Sequence, residues 1–108
     1  MKLAAGTVVA LFLACQGTTP IRRLLDDPGQ YEGKTVRIAG EVKTSVGALG
    51  LGAYEVEDTT GRIPVVIQSG GATPRVGARV GVQGEFRSAF TLGTRSVAVI
   101  MEEKRRTP

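Results

Sequence analysis

From residue 19 onward the chain alternates apolar and polar positions in short runs broken by glycine-rich turns. In "TVRIAGEVK", Val36, Ile38 and Val42 fall on one side, with Arg37, Glu41 and Lys43 on the other. A period of two puts successive side chains on opposite faces, so this segment predicts a half-buried strand. "YEVED" continues the pattern, with Tyr54 and Val56 inward and Glu55 and Glu57 outward. Asp58-Thr-Thr-Gly61 has aspartate first and glycine fourth, as a type I turn prefers, so a hairpin returns through "RIPVVIQ". Pro64 has no amide to donate, which predicts an edge or a bulge there. "RVGVQGEFR" sets Val80, Val82 and Phe86 against Arg79, Gln83, Glu85 and Arg87, and "SVAVIME" makes a fifth strand with Val97, Val99 and Met101 inward.

One segment breaks this rhythm with helical spacing. In "TTPIRRLLDDPG", Ile21, Leu24 and Leu25 share a face, Thr19 is placed to cap, Pro20 suits the first helical position, and Pro28-Gly29 stops the helix after Asp27. Two turns do not hold alone, so this helix must dock on the strands. "SGGATPRVGA", rich in glycine, predicts a loop, as do residues 44–52 and 88–95. Glycines at Gly40, Gly81 and Gly84 lie inside strands, where a missing side chain marks a sharp bend or a close backbone approach. Five short strands of this kind predict a tightly coiled barrel.

Residues 3–14, "LAAGTVVALFLA", carry no charge and follow Lys2. As a helix they would reach roughly 18 Å, too short for a hydrocarbon core of about 30 Å, and the layout is that of a secretory signal peptide. The run ends in "FLAC", which resembles the lipobox of bacterial lipoproteins, with Phe12 where that family prefers leucine. The resemblance implies that Cys15 receives a diacylglyceryl group, that cleavage falls before it, and that its new amino group is acylated. Two or more chains anchor stably where one would not. It further implies an extracytoplasmic location on the periplasmic side of the outer or cytoplasmic membrane. Gln16, in place of aspartate, favours the outer one. The expected organisation is a leader over 1–14, a lipid-anchored tether over 15–20, a domain over 21–103 and a basic tail over 104–108. The end of the chain, "EEKRRTP", is expected to be disordered, the alternative being that it lies along anionic phospholipid near the anchor.

The order "PGQYEGKTVRIAGEV", "YEVEDTTGRIPVV", "PRVGARVGVQGEF" resembles the OB-fold of the anticodon-binding type. It is similar also to the periplasmic haem chaperone of cytochrome c maturation. The resemblance implies an all-β, five-stranded, OB-fold-like Greek-key barrel with a short N-terminal helix. It does not carry the haem role, because that family attaches haem through a histidine after the last strand and this chain has none.

Charge and composition narrow the function. The chain has 14 Lys and Arg against 10 Asp and Glu, and the excess lies in Lys2, Lys104, Arg105 and Arg106. The stretch between is balanced, against what a phosphate-tracking face needs. Without histidine or a second cysteine no nucleophile–base pair of the common kinds can form, so no enzyme, cofactor or metal site is expected. Asp26-Asp27 and Glu102-Glu103 read as a solvated helix end and strand end, since strand neighbours point to opposite faces. "GALGLG" lacks a P-loop lysine and precedes a strand, not a helix, and the same stretch has no helix to flank it as a KH loop would.

In OB-folds the ligand lies across strands 2–3 and between the loops joining strands 1–2 and 4–5. Here those loops carry Val46, Leu49, Leu51, Phe90 and Leu92 and the single charge Arg95. Leu49, Leu51, Phe90, Leu92 and Arg95 are therefore the candidate ligand face. They are expected either to form an apolar mouth for an envelope protein, a glycan or a lipid-like group, or to fold back and close the barrel. The resulting expectation is a membrane-anchored, non-enzymatic binding or assembly module of the cell envelope. A nucleic-acid-binding OB-fold is the alternative.

Overall fold

The computed structural model describes residues 17–48, 51–68, 71–92 and 94–106. Two short helices, α1 (Ile21–Asp26) and α2 (Pro28–Tyr31), precede five strands. These are β1 (Thr35–Ala48), β2 (Leu51–Glu57), β3 (Arg62–Ile67), β4 (Arg79–Leu92) and β5 (Arg95–Arg106). They close in the order β1-β2-β3-β5-β4, antiparallel throughout except for β3 beside β5. This is the expected all-β, OB-fold-like barrel.

The long β1 serves two partners, pairing with β4 from Thr35 to Glu41 and with β2 from Glu41 to Ala48. Gly40 sits at the change of partner, where a Cβ would run into the Glu57 carbonyl. At Gly84 a Cβ would run into the Met101 carbonyl. Both are the close approaches their positions predict. Gly81 is different: nothing lies within 4 Å of a Cβ placed there, so it opens onto free space.

The inward residues of β1, β2 and β4 are those the alternation picks out. Val36, Ile38, Val42, Tyr54, Val56, Val80, Val82 and Phe86 are all buried in one cluster. In β5 the phase is the reverse of the expected one. Ile100 joins that cluster, while Val99 and Met101 pack with Val66 in a second cluster, Phe90 and Val97 against them. The run Val97–Met101 is apolar at every position, so alternation could not choose its inner side. Pro64 pairs with Glu55 of β2, and pairing of β3 with β5 begins one residue later at Val65, so on the β5 side Pro64 stands at an edge.

The helix starts differently from expectation. Pro20 is the N-cap residue and no side chain caps from that position. The backbone amide of Thr19 instead donates to the Arg37 carbonyl at 2.7 Å. The cap comes from the β2–β3 turn: Asp58 Oδ2 accepts the Ile21 amide and Thr60 Oγ1 the Arg22 amide, each at 3.0 Å. Ile21 and Leu24 are buried against the barrel, whereas Leu25 stays 41% exposed. The hydrophobic residues buried among the described ones all lie between Ile21 and Met101, so residues 17–106 contain a complete closed sheet and its core.

Residues 71–78 form no helix. This connection is tied down by Ser45 Oγ to the Pro74 carbonyl, by Gly77 N–H to the Val42 carbonyl at 2.7 Å, and by Arg105 Nη2 to the Ala72 carbonyl at 2.8 Å. Arg105 also lies 5.4 Å over the Tyr54 ring and pairs with Glu102 at 3.2 Å. The Tyr54 hydroxyl donates to Glu102 Oε1. Burial first, then the Glu102 carboxylate, hold that hydroxyl far above the ordinary phenol range. Glu102 is thus a bound partner at the barrel end and not a solvated strand end; Glu103, its neighbour, is exposed. The first three residues of the expected basic tail are strand, because β5 continues through Lys104, Arg105 and Arg106, paired with Gln83, Val82 and Gly81.

Candidate functional site

The two segments expected as ligand loops are mostly strand. β1 runs to Ala48, paired with Leu51, and β4 runs to Leu92, paired with Arg95, leaving two residues between each pair. Cys15 and Leu49 lie outside the described residues. Leu51 and Leu92 hold those register positions, and Arg95 is exposed beside Leu92. Phe90 is half-buried against Val66, Val99 and Met101 and pairs with Val97 across a β4 bulge. Of the apolar loop residues the sequence singled out, Val46 is the one described as open, at 59%.

The β2 side of the barrel carries a closed set of ion pairs. Arg62 reaches Glu57 at 2.8 Å and Glu55 at 3.3 Å, and Lys43 reaches Glu57 at 3.7 Å and Glu41 at 4.0 Å. The Arg62 guanidinium holds the Glu57 carboxyl below its usual range. At the hairpin end, burial would raise the Asp58 carboxyl. The Thr60 hydroxyl and the amides of Ile21, Thr60 and Gly61 outweigh it and lower the group overall.

The opposite face, formed by the first half of β1, the middle of β4 and the end of β5, has the other arrangement. A groove of about 440 Å³ is lined by Gly17, Thr19, Tyr31, Lys34, Arg37 and Gln83, among others. It adjoins a second hollow of about 180 Å³ that shares Arg37 and Gln83 and adds Thr18, Gly81, Lys104 and Arg106. No carboxylate lines either. Among the described residues, none of these four cations has a carboxylate oxygen within 4.0 Å. All four are exposed.

Strand register explains the grouping. Arg37 pairs with Gln83, which pairs with Lys104, so the three stand in one row across three strands. Arg37 Nε donates to Gln83 Oε1 at 3.1 Å along that row. Ala39, Gly81 and Arg106 form the next row, where Gly81 leaves the floor open. The flanking rows each bring an acid: Glu85, opposite Thr35 and engaged by Arg87 at 3.4 Å, and Glu41, opposite Arg79. A register shift in β5 opposite Gln83/Gly84 takes Glu103 out of the ladder and puts Lys104 and Arg106 on the groove side. Lys34 is fixed by its backbone: its carbonyl accepts the Phe86 amide and its amide donates to Tyr31. Sequence reasoning missed this site because two of its cations belonged to a presumed tail. The signal available was Gly81, a strand glycine with no close neighbour to require it.

No family model matches the chain, and no curated protein does. Solved structures do. The chain is similar to asparaginyl-tRNA synthetase from Pyrococcus horikoshii at 21% identity and a TM-score of 0.60, over 72% of this chain and 20% of that one. A replication protein A heterotrimer bound to ssDNA matches at 25% identity and a TM-score of 0.56, over 70% of this chain and 57% of that one. An OBody bound to hen egg-white lysozyme matches at 16% identity and a TM-score of 0.60, over 72% and 82%. The chain therefore spans about a fifth of the synthetase. These neighbours are OB-fold proteins, and the fold is the OB-fold.

Proposed function

We propose that the chain is a lipid-anchored, non-enzymatic OB-fold module that binds or assembles components at the extracytoplasmic side of a bacterial envelope membrane. The observation that carries this reading is Cys15. It directly follows the uncharged run of twelve residues at 3–14, and only a short polar stretch separates it from α1. With Thr19, four positions beyond a lipidated cysteine, already bonded to the barrel, the domain has no reach of its own, so its partners must come to the membrane: an envelope protein, a glycan or a lipid-like group. Labelled palmitate fed to expressing cells tests the anchor. Label in the mature protein, lost in Cys15→Ser, is the expected result; an unlabelled, full-length cytosolic protein overturns it.

A second reading, binding of single-stranded nucleic acid, is favoured by the carboxylate-free cationic groove with Tyr31 at its side, and by neighbours of which one is bound to ssDNA. A strand-binding surface stacks several bases in succession on aromatic rings. One half-buried tyrosine supplies little of that. Titration of residues 17–108 with oligonucleotides at 50 mM salt, where phosphate contacts are strongest, separates the two.

A further inference from the structure

We infer that the groove formed by Lys34, Arg37, Lys104 and Arg106 is a docking face for anionic phospholipid headgroups, and that it fixes how the barrel sits on its membrane. The inference rests on the anchor at Cys15 proposed above, but its basis is the placement of the residues that follow. Gly17 and Thr19 line the first hollow and Thr18 the second. Cys15 precedes Gly17 by two residues, which span at most about 7 Å of chain. A lipid on Cys15 therefore holds this groove, and not the ion-paired β2 face, next to the bilayer.

Held there, the groove turns its four cations toward the headgroups, where each Lys or Arg that comes within a Debye length of about 8–10 Å adds attraction. None has an ion pair among the described residues that docking would have to break. Thr18, Thr19 and Gln83 add neutral polar groups along the same groove. The Glu85 carboxylate in the neighbouring row, held by Arg87, bounds the site on that side. Glu41, opposite Arg79 in the row beyond Ala39 and Gly81, bounds it on the other, and Glu55 and Glu57 on β2 would repel the same surface. The barrel is thus polarised along the direction its tether dictates.

The test uses the unlipidated domain, residues 17–108, which holds the whole described core, so that it does not depend on acylation. Flotation with vesicles of phosphatidylglycerol and phosphatidylcholine is compared with phosphatidylcholine alone. The expected result is binding to the anionic vesicles only, weakened about five-fold for each of Arg37→Gln, Lys104→Gln and Arg106→Gln, and about 100-fold for the triple variant. Arg75→Gln with Arg95→Gln, exposed cations outside the groove, should change it less than about two-fold beyond the loss of net charge. Equal losses in groove and control variants overturn the proposal, since they reduce it to bulk charge. Groove-dependent binding of an oligonucleotide without binding to anionic vesicles also overturns it, assigning the face to nucleic acid. Circular dichroism confirms that each variant is folded. Failure of palmitate labelling with groove-specific vesicle binding intact would remove the anchor while leaving the face.

Discussion

On the β2 side of the barrel every cation has a carboxylate: Arg62 holds Glu57 and Glu55, and Lys43 holds Glu57 and Glu41. On the β4 side Lys34, Arg37, Lys104 and Arg106 face solvent, and among the described residues their one side-chain partner is the neutral Gln83. Both faces belong to one closed sheet, and both are made of ordinary outward positions. The difference is one of sorting. Cross-strand pairs decide whether opposite charges meet, and on the β4 side the residues opposite Arg37, Lys104 and Arg106 are Gln83 and Gly81. A sheet that pairs its charges on one side and leaves them open on the other has kept one side available.

The comparison breaks most severely at the strand crossing that creates it. Gly84→Ala should destabilise the domain by roughly 2–4 kcal/mol in chemical denaturation, because the new Cβ meets the Met101 carbonyl beside the β5 register shift. Gly81→Ala, three residues away, should stay within about 0.5 kcal/mol, since its Cβ enters open groove. Equal costs at the two positions would mean that β5 is not pinned where Lys104 and Arg106 need it.

The paired face sharpens next through its turn. Asp58→Ala removes an acceptor shared by α1 and the hairpin and should cost about 1–3 kcal/mol. The folded carboxyl has a lowered pKa, so the unfolded chain takes up its proton first as pH falls. This stabilisation is complete above the unfolded value near 4 and is lost as pH drops through the folded one. Melting profiles of the parent should therefore fall off below about pH 4, and the Asp58→Ala profile should lack that part of the decline. A variant with the parent's acid profile would place the titration elsewhere.

The smallest effect is the most diagnostic of the two faces. Arg62→Gln should lower the melting temperature slightly at low salt and less at high salt, since screening already weakens the pairs it removes. Arg37→Gln with Lys104→Gln should leave it unchanged or raise it, because only like charges are separated there. Paired thermal melts at two ionic strengths read both, and the same sign on both faces would contradict the sorting.

Most of the barrel is legible in the residues. Where one face is apolar and the other polar, as in β1, β2 and β4, alternation names the core correctly, and Gly40 and Gly84 mark close crossings. It fails in β5, where Val97–Met101 is apolar on both faces because both are packed. It fails too where small polar residues conceal strand, as in Thr44–Val46 and Ser88–Thr91, which extend the hairpins. The cap from Asp58 and Thr60 is invisible locally because it comes from residues almost forty positions away. The groove was hidden by the same limitation. Lys104 and Arg106 look like a terminal charge cluster until a register shift of one residue places them beside Arg37.

The account turns on which face meets its ligand, and amide spectra of residues 17–108 on phosphatidylglycerol vesicles carrying a nitroxide headgroup report that residue by residue. Signals from Lys34–Arg37, Gly81–Gln83 and Lys104–Arg106 should broaden while those from Glu55–Arg62 persist. Broadening that begins at Glu55–Arg62, or that covers both faces alike, would contradict it.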